Sequence, residues 1–103
     1  MSVHPINVID REQVLIRLQA MKPELVKQYS VSKIGIFGSI ARNEFHNHSD
    51  IDVVVHMQPN ILKRARLKAE LEEVFGREVD VIRYRETMNP FLKDRINQDV
   101  IYV

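Results

Sequence analysis

Three aspartates and one Gly-Ser pair are the residues of this chain whose types and spacing suggest chemistry. Asp50 and Asp52 flank Ile51 at the head of an apolar run, Val53-Val54-Val55, and Asp80 lies between Val79 and Val81. Side chains at i and i+2 of a strand project to the same side, so Asp50 and Asp52 point together while Ile51 and Val53 point away. If the strand carrying Asp80 lies beside them, three carboxylates converge. Like charges raise one another's pKa, and an unpaired charge on an apolar strand is costly. A hard divalent cation relieves both penalties, and Mg²⁺ keeps coordination sites for water and substrate phosphate. Turn formation or helix capping is a sufficient account of Asp50 alone, beside Ser49. It does not account for Asp52 or Asp80, each set in apolar surroundings. One buried aspartate suggests an arginine partner; two on neighbouring strands suggest a metal.

Gly38-Ser39 ends the apolar stretch of Ile34, Ile36 and Phe37. Glycine lets the backbone approach a ligand closely. The helix that follows offers free N–H groups and a positive dipole end to an anion. The Ser39 hydroxyl adds a donor. No Gly-Lys-Ser/Thr follows a spaced glycine, so this is not a Walker A loop. Alone, Gly-Ser is a common turn. Beside a carboxylate cluster, it implies a phosphate chain held between backbone amides and metal. Arg42, one helical turn beyond Ser39, has two readings, contact with that phosphate chain or a surface pair with Glu44. His46 and His48 form a His-x-His pair, but no third nitrogen or sulfur ligand accompanies them, so they read as solvated loop residues rather than a zinc site.

The elements that must position these residues follow from periodicity. Asp10 with Gln13 resembles a capping box opening a helix, and Val14, Leu18, Met21 and Leu25 recur at helical spacing. Pro23 should interrupt it, giving two helices, Arg11 to about Met21 and Pro23 to Tyr29. A buried strand over Ile34–Phe37, a short helix over Ile40–Asn43 and a strand over Ile51–Met57 come next. Asn60 can cap a helix over Ile61–Phe75 that Gly76 stops. Glu78–Tyr84 reads as a strand, Pro90 to about Ile96 as a helix, and Val100–Val103 as a terminal strand. Strands separated by helices imply an α/β sandwich with a small mixed or parallel sheet and flanking helices. The Ile61–Phe75 helix carries its basic residues first (Lys63, Arg64, Arg66, Lys68) and its acidic ones last, against its dipole. Pairs at Arg66–Glu70 and Lys68–Glu72 offset part of that cost. The basic half, with Arg83 and Arg85, reads either as a patch for phosphates or an acidic partner, or as a solvated face.

Composition narrows the function classes. A chain of 103 residues has room for one domain over residues 1–103 and one core. Fifteen Lys and Arg against fourteen Asp and Glu give a net charge of +1, so no global field draws it to nucleic acid or membrane. The absence of cysteine excludes a disulfide scaffold and a thiolate nucleophile or metal site, and fits a reducing cytoplasm. No apolar run approaches the ~20 residues that span a bilayer.

Gly38-Ser39-Ile40-Ala41-Arg42-Asn43-Glu44 followed by Ser49-Asp50-Ile51-Asp52-Val53-Val54-Val55 resembles the minimal, MNT-type nucleotidyltransferases of the DNA polymerase β superfamily. Gly-Ser, Asp-x-Asp and a later Val-Asp-Val are specific in combination and weak apart. The resemblance runs from about Pro23 to Tyr102. Asn43 departs from it, standing where many relatives carry Gly, in a turn that Asn tolerates. The resemblance implies transfer of a nucleoside monophosphate, AMP above all, from an NTP such as ATP to a hydroxyl. It further implies that Asp50, Asp52 and Asp80 hold two Mg²⁺ ions, and that Gly38 and Ser39, with Arg42 nearby, grip the phosphates. Stand-alone members resemble the antitoxins of HEPN–MNT toxin–antitoxin pairs, which modify a tyrosine of the HEPN toxin. The alternative is a binding module that neutralises its partner by occlusion, with a vestigial nucleotide site. A nucleic-acid polymerase is disfavoured by the neutral charge and the lack of a primer-binding domain.

Overall fold

The computed structural model describes residues 10–44 and 50–103. In chain order the elements are α1 (Arg11–Tyr29), β1 (Lys33–Phe37), α2 (Gly38–Ala41), β2 (Ile51–His56), α3 (Ile61–Phe75), β3 (Val79–Arg83), α4 (Pro90–Asp99) and β4 (Ile101–Tyr102). The strands form one mixed sheet in the order β3-β2-β1-β4. β1 is antiparallel to β2 and to β4, whereas β2 and β3 are parallel and joined by the α3 crossover. No helix among the described residues is long and apolar enough to cross a membrane.

Both faces of the sheet are covered, as the unbroken Val53-Val54-Val55 run requires. On one face Val14, Leu18 and Leu25 of α1 and Leu67, Leu71 and Phe75 of α3 pack on Ile36, Ile51, Val53 and Val55. On the other, Met88 and Ile96 close over Phe37 and Val54. The α3 boundaries match their sequence signals. Asn60 accepts from the Lys63 amide at 2.9 Å, and Gly76 ends the helix with φ 66°. Of the two pairs expected on α3, Lys68–Glu72 forms at 3.1 Å. Arg66–Glu70 does not, because Glu70 instead accepts the Tyr29 hydroxyl at 2.8 Å and so ties α3 to α1.

The expected break at Pro23 is absent, and α1 runs through it as one helix. A proline in a helix interior costs about 3 kcal/mol. Leu18 and Leu25, both fully buried, lie on either side of it, seven residues apart and therefore on one face. Burying each contributes about 1.5–3 kcal/mol, and a break would misalign them. Tertiary packing outweighs the local preference.

Gly35 fixes how β4 lies on β1. A Cβ there would sit 2.6 Å from the Ile101 carbonyl oxygen and 3.0 Å from the Tyr102 Cα. These are backbone atoms that cannot rotate aside. Gly35→Ala is expected to lower stability by about 1–3 kcal/mol in urea denaturation, with β4 the first element to lose amide protection. Unchanged stability would show that β4 moves off β1 without cost.

Candidate active site

The site lies at the end of the sheet where β1 finishes and β2 and β3 begin. Asp52 and Asp80 are register partners on these adjacent parallel strands. Neighbouring strands run about 4.8 Å apart, and partners of one register project to the same face. That face is the one α4 covers, since Val54, two residues after Asp52, packs there with Ile82 and Ile96. Asp50 immediately precedes β2 and adds its charge to Asp52 from the same end. The topology therefore places all three aspartates at one sheet end, with Asp52 and Asp80 side by side. Asp80 is exposed, however, where its apolar neighbours led to an expectation of burial, because β3 is an edge strand of the sheet.

Asp52 is half-buried and pushed up to about 6, first by burial, then by Asp80. Arg95 of α4 pulls the other way, Asp50 pushes further up, and Arg42 pulls weakly down. Among the described residues no hydrogen-bond donor reaches the Asp52 or Asp80 carboxylate, nor do any three acidic or imidazole groups close a metal cage by themselves. Hard carboxylate oxygens with an open side suit a Mg²⁺ ion that takes its remaining ligands from water and phosphate.

Gly38 explains how Asp52 reaches its place. Its φ is 72°, and a Cβ there would collide with the Asp52 carboxylate. The glycine thus serves twice, for the left-handed turn out of β1 and for the space the carboxylate occupies. Ser39 follows, half-exposed, and no side chain caps the first turn of α2. Asn43 takes φ 61°, the left-handed turn for which its side chain is suited.

Arg42 is held differently from either sequence reading taken alone. It donates from Nε to Glu44 at 3.1 Å and from Nη1 to Asp99 at 2.6 Å. Pairing with Glu44 was one of its two expected uses. The Asp99 contact, 57 residues away, joins α2 to the end of α4 and leaves the guanidinium beside the site rather than across it. Arg95 was missed from the sequence. Its only signal was its place next to Ile96, which packs α4 onto the sheet and so carries Arg95 to the aspartates. His46, His48 and Ser49 fall outside the described residues. His56 sits at the opposite end of the sheet, stacked on Tyr84 at 4.8 Å with Nε2 2.8 Å from the Tyr102 hydroxyl. It packs against Tyr84 and Tyr102, remote from the aspartates.

Comparison with known proteins bears on the family and the fold. Residues 19–103 match the family described as polymerase beta nucleotidyltransferase. A protein of Methanocaldococcus jannaschii, provisionally named a protein adenylyltransferase, is 47% identical over 83 residues, spanning 79% of this chain and 87% of the relative. The protein adenylyltransferase MntA of Thermococcus cleftensis is 32% identical over 94 residues, spanning 89% and 94%. Among solved structures, one provisionally described as a minimal nucleotidyltransferase superposes with a TM-score of 0.74 at 29% identity, covering 90% of this chain and 95% of the other. A complex of a tri-AMPylated HEPN toxin from Shewanella oneidensis with its MNT antitoxin gives 0.64 at 16% identity, covering 89% and 70%, a likeness of fold.

Proposed function

The chain belongs to the polymerase beta nucleotidyltransferase family, and from that premise we propose that it transfers AMP from ATP to a hydroxyl on a protein partner. The observation that carries this reading is the side-by-side register of Asp52 and Asp80 against the space left by Gly38. Asp50, Asp52 and Asp80 would hold Mg²⁺, two ions by the family resemblance. The metal would supply positive charge that neutralises triphosphate oxygens and favours departure of pyrophosphate. Gly38 and Ser39 grip the phosphate chain through the uncapped first turn of α2. Arg95 adds positive charge at the rim, and Arg42 holds α2 against α4 beside it. The acceptor oxygen bonds to the α-phosphorus, the bond to the β-phosphate oxygen breaks so that pyrophosphate leaves, and the hydroxyl proton passes to Asp80.

Little of the chain remains to enclose an acceptor, so the acceptor comes with the partner. The name of the Thermococcus relative supports protein adenylylation, and the MNT–HEPN complex supports a HEPN-type toxin as that partner. A tyrosine of that toxin as the acceptor is what the family resemblance implies. The chain then acts as an antitoxin. The test is label transfer from α-³²P-ATP to a co-expressed HEPN-type partner, with and without Mg²⁺. A labelled partner band that requires Mg²⁺ and is lost in Asp52→Asn is expected. Measurable Mg-ATP binding without label on an acceptor known to be present would overturn transfer and leave occlusion as the means of neutralisation.

A further inference from the structure

We infer that the open edge of β3 is a docking strand for an extended, alternately acidic and apolar segment of a protein partner. Two ladder bonds set the parity of β3. The Ile51 amide donates to the Glu78 carbonyl, and the Tyr84 amide donates to the Val55 carbonyl. Even-numbered residues of β3 therefore turn their backbone groups toward β2, and Val79, Val81 and Arg83 turn theirs outward. At Val79 the edge is closed by side chains of α3. Its amide donates to Glu72 at 3.1 Å, and its carbonyl accepts from Lys68 at 2.5 Å. At Val81 and Arg83 no described residue pairs with the outward amides and carbonyls. The edge is blunted at the end near the aspartates and open beyond it.

The open half lies in a groove of about 510 Å³ between the first turns of α3 and α4. Arg64, Arg83 and Arg85 line it, and among the described residues none of them is ion-paired. Ile61, 78% exposed, forms one lip, and Met88 and Leu92 form the opposite wall. Arg83 follows the parity of Val79 and Val81 and so leans to the α3 side with Arg64, whereas Met88 and Leu92 pack with Ile82 on the α4 side. A strand added to this edge meets positive charge with one set of alternate side chains and apolar surface with the other. Main-chain pairing supplies affinity, and the alternation supplies selectivity. This surface is independent of the phosphate chemistry, and its occupancy is read without nucleotide.

The experiment is an NMR titration of the ¹⁵N-labelled protein with a ten-residue peptide alternating Glu and Val, taken to millimolar concentration. Shifts and slowed amide exchange are expected at Val81 and Arg83, with Asp80 and Ile82 little changed. Arg83→Glu combined with Arg85→Glu should weaken binding about tenfold or more, its own spectrum confirming the fold. A Lys–Val peptide should bind far more weakly than the Glu–Val one. Absence of shifts up to millimolar peptide, or shifts without the odd–even alternation, would overturn the proposal. So would a stronger response to a short single-stranded oligonucleotide, which would mark a nucleic-acid groove. Concentration-dependent shifts of Val81 and Arg83 without peptide would assign the edge to a second copy of the chain instead. Each result stands apart from label transfer, whose outcome it neither requires nor decides.

Discussion

Asp52→Asn is expected to abolish nucleotidyl transfer and at the same time raise the melting temperature of the ligand-free protein. Catalysis should fall at least about a thousandfold, because the substitution removes a charge worth several kcal/mol at the reacting phosphate. Stability should move the other way. Asp52 is pushed from 3.8 up to about 6 by burial and by Asp80, so its ionised form is disfavoured in the fold. Roughly two units correspond to about 3 kcal/mol, which solvent at the open side trims to about 1–2 kcal/mol. In a domain of this size that gives a gain of about 5–10 °C at neutral pH. The folded-state value lies above the unfolded one. Between about pH 4 and pH 6 the folded chain therefore keeps a proton that the unfolded chain has released. The contribution of Asp52 is full below that window and is lost as pH rises through it. The gap between variant and wild type should thus be close to nil at about pH 4 and complete above about pH 6. Mg²⁺ with a non-hydrolysable ATP analogue should stabilise the wild type and not the variant. A variant less stable than wild type at neutral pH would overturn this account and make Asp52 a structural residue.

What was legible in the sequence was what local rules decide. Asn60 and Gly76 bound α3 because a cap and a left-handed stop act within a few residues. Asp52 stood out because a charge in an apolar strand needs a reason, and Gly38 because a glycine at a strand end permits close approach. The same argument applied to Asp80 overstated its burial, since β3 lies at the sheet edge and leaves it exposed. Parity along β2 could be read in advance, but the pairing of Asp52 with Asp80 could not, since register is set by the crossover through α3. Pro23 misled because the opposing contribution came from Leu18 and Leu25 packing on a sheet not yet formed. Arg42 illustrates the same limit. Its near partner Glu44 was visible at two residues' distance, whereas Asp99 reaches it only once α4 lies across the sheet. The open edge of β3 is a matter of hydrogen-bond parity and was invisible until strand order placed β3 at the margin.

Gly38→Ala tests whether the position of the Asp52 carboxylate matters for transfer, and the chain contains its own control. Gly76 also has a positive φ, 66° against 72° at Gly38, but a Cβ at Gly76 would meet nothing within 4 Å. Gly76→Ala therefore carries only the left-handed backbone penalty, about 1–2 kcal/mol. Gly38→Ala carries that penalty plus a collision with the Asp52 side chain. A carboxylate end can swing aside where backbone cannot, so the added stability loss should be modest, about 1 kcal/mol or less. The loss of transfer should be large, about a hundredfold or more, because a displacement of about 1 Å at the reacting centre suffices for that. Gly76→Ala should leave turnover near wild type. In an Asp52→Ala background the carboxylate is gone, and Gly38→Ala should then cost no more stability than Gly76→Ala does. That cycle isolates the contact between the two positions from the strain of the turn. Gly38→Ala with transfer close to wild type would show that the carboxylate is not held where the reaction needs it. An equal cost in both backgrounds would place the strain in the backbone of the turn, with Asp52 a bystander to it.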